Sequence, residues 1–519
     1  MGLILKGISG IFIQSIILRE IFSNFFGNEL SFGIIISMWT LGGAVSSYFF
    51  RKVKEYQKIY IFFTIFEILF LFSILLVLRI YSNIQDFYIS NLRFFIFSFL
   101  LSFFSGFFEG VRFILLSFLY KDEKSSGKVY GFEGIGFLIG GFLFFFIISL
   151  TNIFFLLFIS FILNSLTIFY FKKYLSFISF VILLFFLPFS EKIDLKTNSI
   201  KYKTFKIIET IDTIYNKIIL LKKENQYILI SNGFQEFSSQ PDYFSIKNIS
   251  FFSIAFSSEV KRVGIYGSPE MIEELAKYKI PEIYFFEKDR RKIEIIKDYF
   301  LKRGYRNIIF LNSDIKKFLT EKKLNFDIFI LTNSLPLSLK ENYFLTDEFI
   351  NFISNFTKNF VILLPGSYDY YGKILSKVHS SIYKTCKKYF KNEIIIFTYP
   401  MIICFSNEKL KLNKNFILDK EYFNSEYLNY VLDQNKKNQY LKKILSVNSY
   451  ENNLSNQFCL YYSLSYYFSQ TSTKIGNLMD SIFTKLYNVR KFIYSVFLIL
   501  FLFMLFPFPS PYSSIILTN

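Results

Sequence analysis

Within its first 190 residues the chain carries seven apolar stretches, at 3–22, 31–50, 59–78, 92–120, 129–150, 153–171 and 174–189, and this succession limits the fold more than any other feature. About 20 apolar residues in a helix cross the hydrocarbon core of a bilayer, so 1–190 reads as an α-helical polytopic membrane region. The first stretch is polar at its end, at Arg19 and Glu20, and poor in charge at its start, so it reads as a retained anchor and not a cleaved signal peptide. From residue 191 the composition turns polar, until a last apolar span at 492–506 follows Arg490 and Lys491 and reads as a C-terminal membrane helix within 490–519. A multi-pass protein of the cell (inner) membrane is expected, with the lipid bilayer as its first partner.

Lys and Arg number 59 against 40 Asp and Glu, a net charge of +19. Such a balance serves nucleic acid or an anionic membrane surface. The lysines are spread along the chain rather than gathered in an arm, so they read as solvated faces and positive flanks of membrane segments, and no nucleic-acid partner is expected. Basic clusters at Arg51, Lys52, Lys54 and Lys58, at Lys121, Lys124 and Lys128, and at Lys172 and Lys173 fall on one side, which the positive-inside rule makes cytoplasmic. The 174–189 stretch is short, holds Pro188 and has basic flanks. As a seventh crossing it would put the following domain outside; as a re-entrant or interfacial piece it leaves that domain cytoplasmic, the side expected here.

Ionisable groups at membrane depth are costly and normally face a partner or a cavity. Glu67, Glu109, Arg112 and Glu133 are such groups, as are Arg19 and Glu20, and the polar amide of Gln14 lies among them. They form either a polar path or small-molecule site, or interhelical pairs, for instance Glu109 with Arg112 one turn on. Gly134, Gly136, Gly140 and Gly141 suit close helix approach.

In the polar half, 205–211, 217–222 and 226–231 read as short strands ending in the hairpin-type turn Asn232-Gly233. They form an N-terminal β-structure over 191–255. A strand at 263–266, a turn at Gly267-Ser268-Pro269, a helix near 270–279 and a strand at 282–286 open a doubly wound α/β domain over 256–410. In that order a ligand sits past the strand ends, with a carboxylate on the second strand placed for ribose hydroxyls. Glu287 holds that place. Further helices at 291–302, 346–358 and 372–389 alternate with strands at 307–311, 327–331, 360–364, 393–398 and 401–405, which predicts a mostly parallel sheet covered on both faces. The 411–489 segment reads as a polar helical extension. Cys386, Cys404 and Cys459 lack metal-ligand spacing and His379 sits alone in a helical pattern, so no metal site, disulfide framework or His-dependent triad is expected.

Several of these residues resemble the membrane-fused spermidine synthase-like proteins, polyamine aminopropyltransferase homologues. Gly27-Asn28-Glu29-Leu30-Ser31 is similar to that family's first loop, and the glycine-rich run 127–141 to its fifth helix. In the polar half the likeness runs through Tyr215, Asn232-Gly233, Phe237-Ser238-Ser239, the 263–289 stretch, Asp314, Asp327 and Leu364-Pro365-Gly366. The resemblance implies a methyltransferase-like Rossmann domain, decarboxylated S-adenosylmethionine as aminopropyl donor, putrescine as acceptor, and no required cofactor. It assigns Gly267, Glu270, Glu287 and Asp314 to the nucleotide, with Glu287 on the ribose and Asp314 on the adenine amino group. Gln235, Glu236 and Asp242 become acceptor-side candidates.

The chain departs from the family pattern where the chemistry lies. The family's G-G-G-D-G is Gly267-Ser268-Pro269-Glu270-Met271, and its Tyr-His-Glu is Ser245-Ile246-Lys247, where Lys247 is expected to repel a polycation. The carboxylates of its D-x-x-D-P are replaced by Thr332 and Leu335 in Thr332-Asn333-Ser334-Leu335-Pro336. An amine attacking a carbon beside a sulfonium must lose a proton, and a positioned carboxylate takes it. Three readings follow: an aminopropyltransferase that is inactive or relies on other acids, a nucleotide- or polyamine-sensing pseudoenzyme coupled to the bundle, or a small-amine transporter or sensor in the bundle. Homo-oligomerisation is compatible with each.

Overall fold

The computed structural model describes residues 2–25, 27–53, 55–81, 91–118, 125–333, 335–366 and 371–505. Lys54, Lys121, Lys124, Ser334 and the tail from 506 on lie outside them. The N-terminal region comprises α1 (Gly2–Phe25), α2 (Glu29–Phe50), α3 (Tyr56–Tyr81), α4 (Asn91–Ser98) running through a π-helical turn into α5 (Phe104–Ser117), α6 (Ser125–Ile147), α7 (Ile153–Thr167), α8 (Lys173–Phe186) and α9 (Ser190–Lys201).

Among the described residues six helical runs are long and apolar enough to cross a membrane: α1, α2, α3, Arg93–Ser117, Gly127–Ile147 and Lys173–Lys201. The α7 helix, apolar nearly all round, is shorter and buried on most of its surface, as such a helix must be. The outward faces of the others are apolar and bare. Of α2, only Ser31, Ile35, Gly42 and Ser46 are buried, and Phe142 and Phe146 of α6 are each 63% exposed.

Close packing of α6 on α1 depends on Gly136 and Gly140, one turn apart, where an added Cβ would run into the backbone of Ile4 and the side chain of Ile11. Gly134 and Gly141, expected in the same role, face open space. Pro188 does not turn the chain back. It sits at the start of a 3₁₀ turn, Leu187–Phe189, where a missing N–H is tolerated, and the helix continues to Lys201 before the first strand.

Strands β1 (Lys206–Asp212), β2 (Lys217–Lys223), β3 (Gln226–Ser231) and β4 (Phe234–Ser238) form an antiparallel sheet in that order, and α10 (Tyr243–Ile254) follows. Asn232 and Gly233 take positive φ, 47° and 83°, and close the β3–β4 hairpin. The second sheet holds β5 (Arg262–Tyr266), β6 (Glu282–Phe286), β7 (Ile308–Leu311), β8 (Phe326–Leu331), β9 (Thr357–Leu364), β10 (Asn392–Ile396) and β11 (Met401–Ser406), in the order β10-β11-β9-β8-β5-β6-β7. Neighbours from β9 to β7 are parallel, and β11 is antiparallel to both β9 and β10.

Helices cover both faces. On one side α10, α11 (Ile272–Ala276) and α12 (Arg290–Lys302) pack through Phe251, Ile272 and Ile296. On the other, α13 (Ile315–Lys322), α14 (Leu339–Asn342), α15 (Asp347–Ser354) and α16 (Lys373–Lys387) meet α18 (Gln434–Ser446) and α19 (Phe458–Thr471), with Leu319, Phe349, Val378, Tyr440 and Phe458 in one cluster, while α17 (Ser425–Val431) packs on the first side through Leu428 and Val431. The described residues end in α20 (Thr473–Leu505). The fold is therefore a helical region with a Rossmann-like α/β domain and a small β-structure ahead of it.

The two regions meet on a buried ionic joint. Arg79 of α3 donates Nε and Nη2 to the two oxygens of Glu20 at 2.7 and 2.5 Å, and Nη1 to Asp194 of α9 at 2.6 Å. Lys217, at the start of β2, donates to the same Glu20 at 3.2 Å, and Arg19 donates to Asp212 of β1 at 2.9 Å. Glu20 and Asp194 here face Arg79 and Lys217, and that pairing is what makes their burial tolerable.

Candidate functional site

In the large sheet the chain runs β5, β6, β7 in one direction and then returns to place β8 on the other side of β5. At such a switch point the loops from the two neighbouring strands diverge and leave a crevice beyond the carboxyl ends. A cleft of about 440 Å³ lies there, within the range of small-molecule sites. Gly267, with φ +110°, lets the chain turn sharply off β5. The Oγ1 of Thr332, just past β8, accepts from Ser268 N at 2.6 Å and donates to Tyr266 O at 3.2 Å, pinning the two strand ends together. A Cβ at position 267 would strike that hydroxyl.

Among the described residues four carboxylates line the cleft: Glu236, Glu270, Glu287 and Glu341. Glu287, at the end of β6, accepts from Asp289 N at 2.9 Å and from Lys292 Nζ at 2.5 Å. Lys292, one turn into α12, also donates to Glu236 at 2.5 Å. Burial opposes the Lys292 charge, but Glu236 and Glu287 outweigh it and hold the ammonium above its ordinary value. Glu270 accepts from Ser238 N at 2.8 Å; burial pushes its carboxyl up to about 6 against that bond. Glu341 accepts from Leu337 N at 2.8 Å and from Asn333 Nδ2 at 3.2 Å, and burial, helped by the charge of Glu236, raises its carboxyl as well.

The other candidate positions sort by distance from this cleft. Gln235, Thr332 and Leu335 line it beside Gly267. Asp314 caps α13 through Lys317 N at 3.1 Å and pairs with Lys288 at 2.6 Å; those bonds outweigh partial burial and keep its carboxyl below the usual range. It stands on the β7 side and is not among the lining residues. Asp242 caps α10 and accepts from Ser245 Oγ at 2.5 Å, also away from the lining. Lys247 pairs with Asp419 and lies over the Tyr422 ring, 4.5 Å from its centroid, so its charge is spent outside the cleft.

Two functional-looking groups have no counterpart in the sequence reading. Glu341 comes nine residues after Thr332, on α14, a spacing that no motif marks. Lys292 is an ordinary helix lysine by pattern, and only the fold turns it inward. Asp289 is the bolt of the small sheet: its Oδ2 accepts from Thr213 Oγ1 at 2.6 Å and Asn216 Nδ2 at 2.9 Å, which brings Asn216 and Asn232 to the cleft wall.

The intramembrane candidates converge on one another. Arg112 reaches Glu67 at 2.8 Å and pairs with Glu109, while Lys6 of α1 reaches Glu109 at 2.9 Å and pairs with Glu133. Asn164 of α7 adds a bond to Glu67 at 3.2 Å. Of the two readings of these groups, the interhelical pairs are the arrangement seen.

No family model matches the sequence, and no curated protein matches it. Among solved structures the chain is similar in outline to a spermidine synthase in complex with the transition state analogue AdoDATO, at 14% identity over 46% of this chain and 88% of that one, with a TM-score of 0.38. A spermidine synthase from Thermotoga maritima gives 14% identity over 46% and 87%, TM-score 0.37. A probable spermidine synthase from Corynebacterium glutamicum gives 12% over 48% and 96%, TM-score 0.35.

Proposed function

We propose that the protein is a membrane-bound spermidine synthase-like transferase whose cleft still joins an adenosyl sulfonium donor, of the decarboxylated S-adenosylmethionine kind, to an amine. The observation that carries this reading is the convergence of four carboxylates on one open cleft at the switch point, although Thr332 and Leu335 stand where the family has acids. Glu287 keeps acceptor lone pairs for a ribose diol. Glu341 supplies the missing proton acceptor: the amine nitrogen forms a bond to the carbon beside sulfur, the C–S bond breaks with its electrons to a neutral thioether, and the nitrogen's proton passes to the Glu341 carboxylate. A raised carboxyl suits that task, since a base works best with its proton affinity near ambient pH. The apolar outer faces of α2 and α6 support membrane insertion; the soluble half packs on the α1–α2 end of the bundle, opposite the basic α2–α3 and α7–α8 loops, so the positive-inside rule puts it on the non-cytoplasmic side and not on the cytoplasmic side expected from the sequence.

Purified full-length protein, given decarboxylated S-adenosylmethionine and an amine, should release the thioether product and an aminopropylated amine. Glu341→Gln should cut the rate by roughly 10²- to 10⁴-fold with donor binding kept. Glu287→Ala should abolish calorimetric donor binding. Donor binding without any product would support the pseudoenzyme, a reading favoured by the pairing of Lys292 with Glu236 and Glu287, which spends two of the four acids.

A further inference from the structure

The wall of the cleft nearest the bundle is built by the membrane region itself. Gly27, between α1 and α2, is one of its lining residues. The Oε1 of Glu29, the first residue of α2, accepts from Leu339 N at 2.9 Å, which straps the segment bearing Leu337, Lys340 and Glu341 to the end of a span. Arg19 and Glu20, in the last turns of α1, clamp the small sheet from the other side through Asp212 and Lys217. A short connection between two membrane spans lies at the bilayer surface, so the wall of the cleft that holds Gly27 stands beside that surface.

The charges sort acceptors further. Lys292 offsets one of the two charges of Glu236 and Glu287, and Lys340 lines the cleft next to Glu341. A diamine whose first nitrogen stood at Glu341 would bring its second cation past Lys340. A single amine followed closely by an anionic phosphate would instead meet Glu341 and Lys340 in turn, with apolar Leu335 and Leu337 beside them.

We propose that the acceptor is a primary amine on a phospholipid headgroup, drawn from the bilayer surface into the cleft. This rests on the transferase reading above. The bond made is C–N on the headgroup nitrogen, the same thioether leaves, and the proton goes to Glu341. The test uses full-length protein in nanodiscs of phosphatidylethanolamine and phosphatidylglycerol, or of phosphatidylcholine and phosphatidylglycerol, with decarboxylated S-adenosylmethionine labelled in its aminopropyl group and putrescine in the buffer. Label should enter the organic-extractable lipid in the first discs and be absent from the lipid of the second. Lys340→Met should lower the lipid label, as should Glu29→Ala, which cuts the strap without touching the cleft. Label found in putrescine alone overturns the lipid acceptor and leaves the transferase intact. Bound donor with label in neither acceptor overturns both.

Discussion

Glu270 carries its charge against the wishes of its surroundings. Its carboxyl titrates near 4.5 in an unfolded chain and at about 6 in the fold, so the folded protein holds the extra proton between those values. Stability from this group is full below pH 4.5 and falls as pH rises through 6, by about 2 kcal/mol in total. Glu270→Gln should remove that slope, read as denaturation midpoints between pH 4 and 7; equal slopes in both proteins would defeat the assignment. His379 has the opposite sign. It is buried, bonded at Nε2 to Pro365 O at 2.9 Å and at Nδ1 to the Tyr440 hydroxyl at 3.0 Å, and burial lowers it from 6.5 to about 4. Stability from keeping it neutral is present above pH 6.5 and is lost as pH falls toward 4, by about 3 kcal/mol. NMR of the one imidazole should show it uncharged at pH 5. A structural role for His379 was legible from its helical surroundings. Glu341 was not, because its approach to Asn333 and Leu337 depends on how the β8–α14 connection folds back, and no sequence interval encodes that.

Pairing between helices is where the apolar half gains specificity. Lys6 lies on α1 with side-chain exposure of 0%, between Glu109 of α5 and Glu133 of α6. Lys6→Met should destabilise the protein by about 3–5 kcal/mol, since it leaves buried carboxylates uncompensated. Adding Glu133→Gln to that variant should recover part of the loss, measured as thermal unfolding in detergent; no recovery would mean that Lys6 acts through packing alone. Glu109 and Arg112 could be paired from their i, i+3 spacing, whereas the partners of Lys6 and Glu67 come from other helices and needed the fold. Among strands the pattern was plainer: 282–286 and 226–231 appear as read, because a run of apolar residues bounded by charge or by Asn-Gly has few other uses. The helix expected over 270–279 shrinks to Ile272–Ala276, and the one over 346–358 stops at Ser354, where Thr357 already starts β9. Helical pattern carries across such boundaries, and sheet pairing decides where it stops. The β4 strand and α10 lie in the part of the expected β-structure over 191–255 where the sequence offered family motifs and no element.

Across the whole molecule the joint at Glu20 matters most, because it links what composition alone would treat as two separate parts. The switch from apolar to polar composition near residue 190 was visible, but Arg19 and Glu20 read as polar residues at the end of the first apolar stretch, with nothing to show that Arg79, β1 and β2 complete their shells. If the bundle sets the shape of the cleft, loosening this joint should be felt at the donor site. Glu20→Gln leaves Arg79 short of one counter-charge and leaves Lys217 only its longer contact to Asp194 at 3.9 Å, while Asn216, just before it in the chain, lines the cleft. Amide exchange in β1 and β2 should quicken and calorimetric donor affinity should fall. Lys6→Met, deep in the bundle and remote from the joint, should lower global stability without that selective loss. A Glu20→Gln protein with unchanged exchange in the small sheet and unchanged donor affinity would mean that the two regions are merely adjacent, and that the cleft is shaped by the soluble half alone.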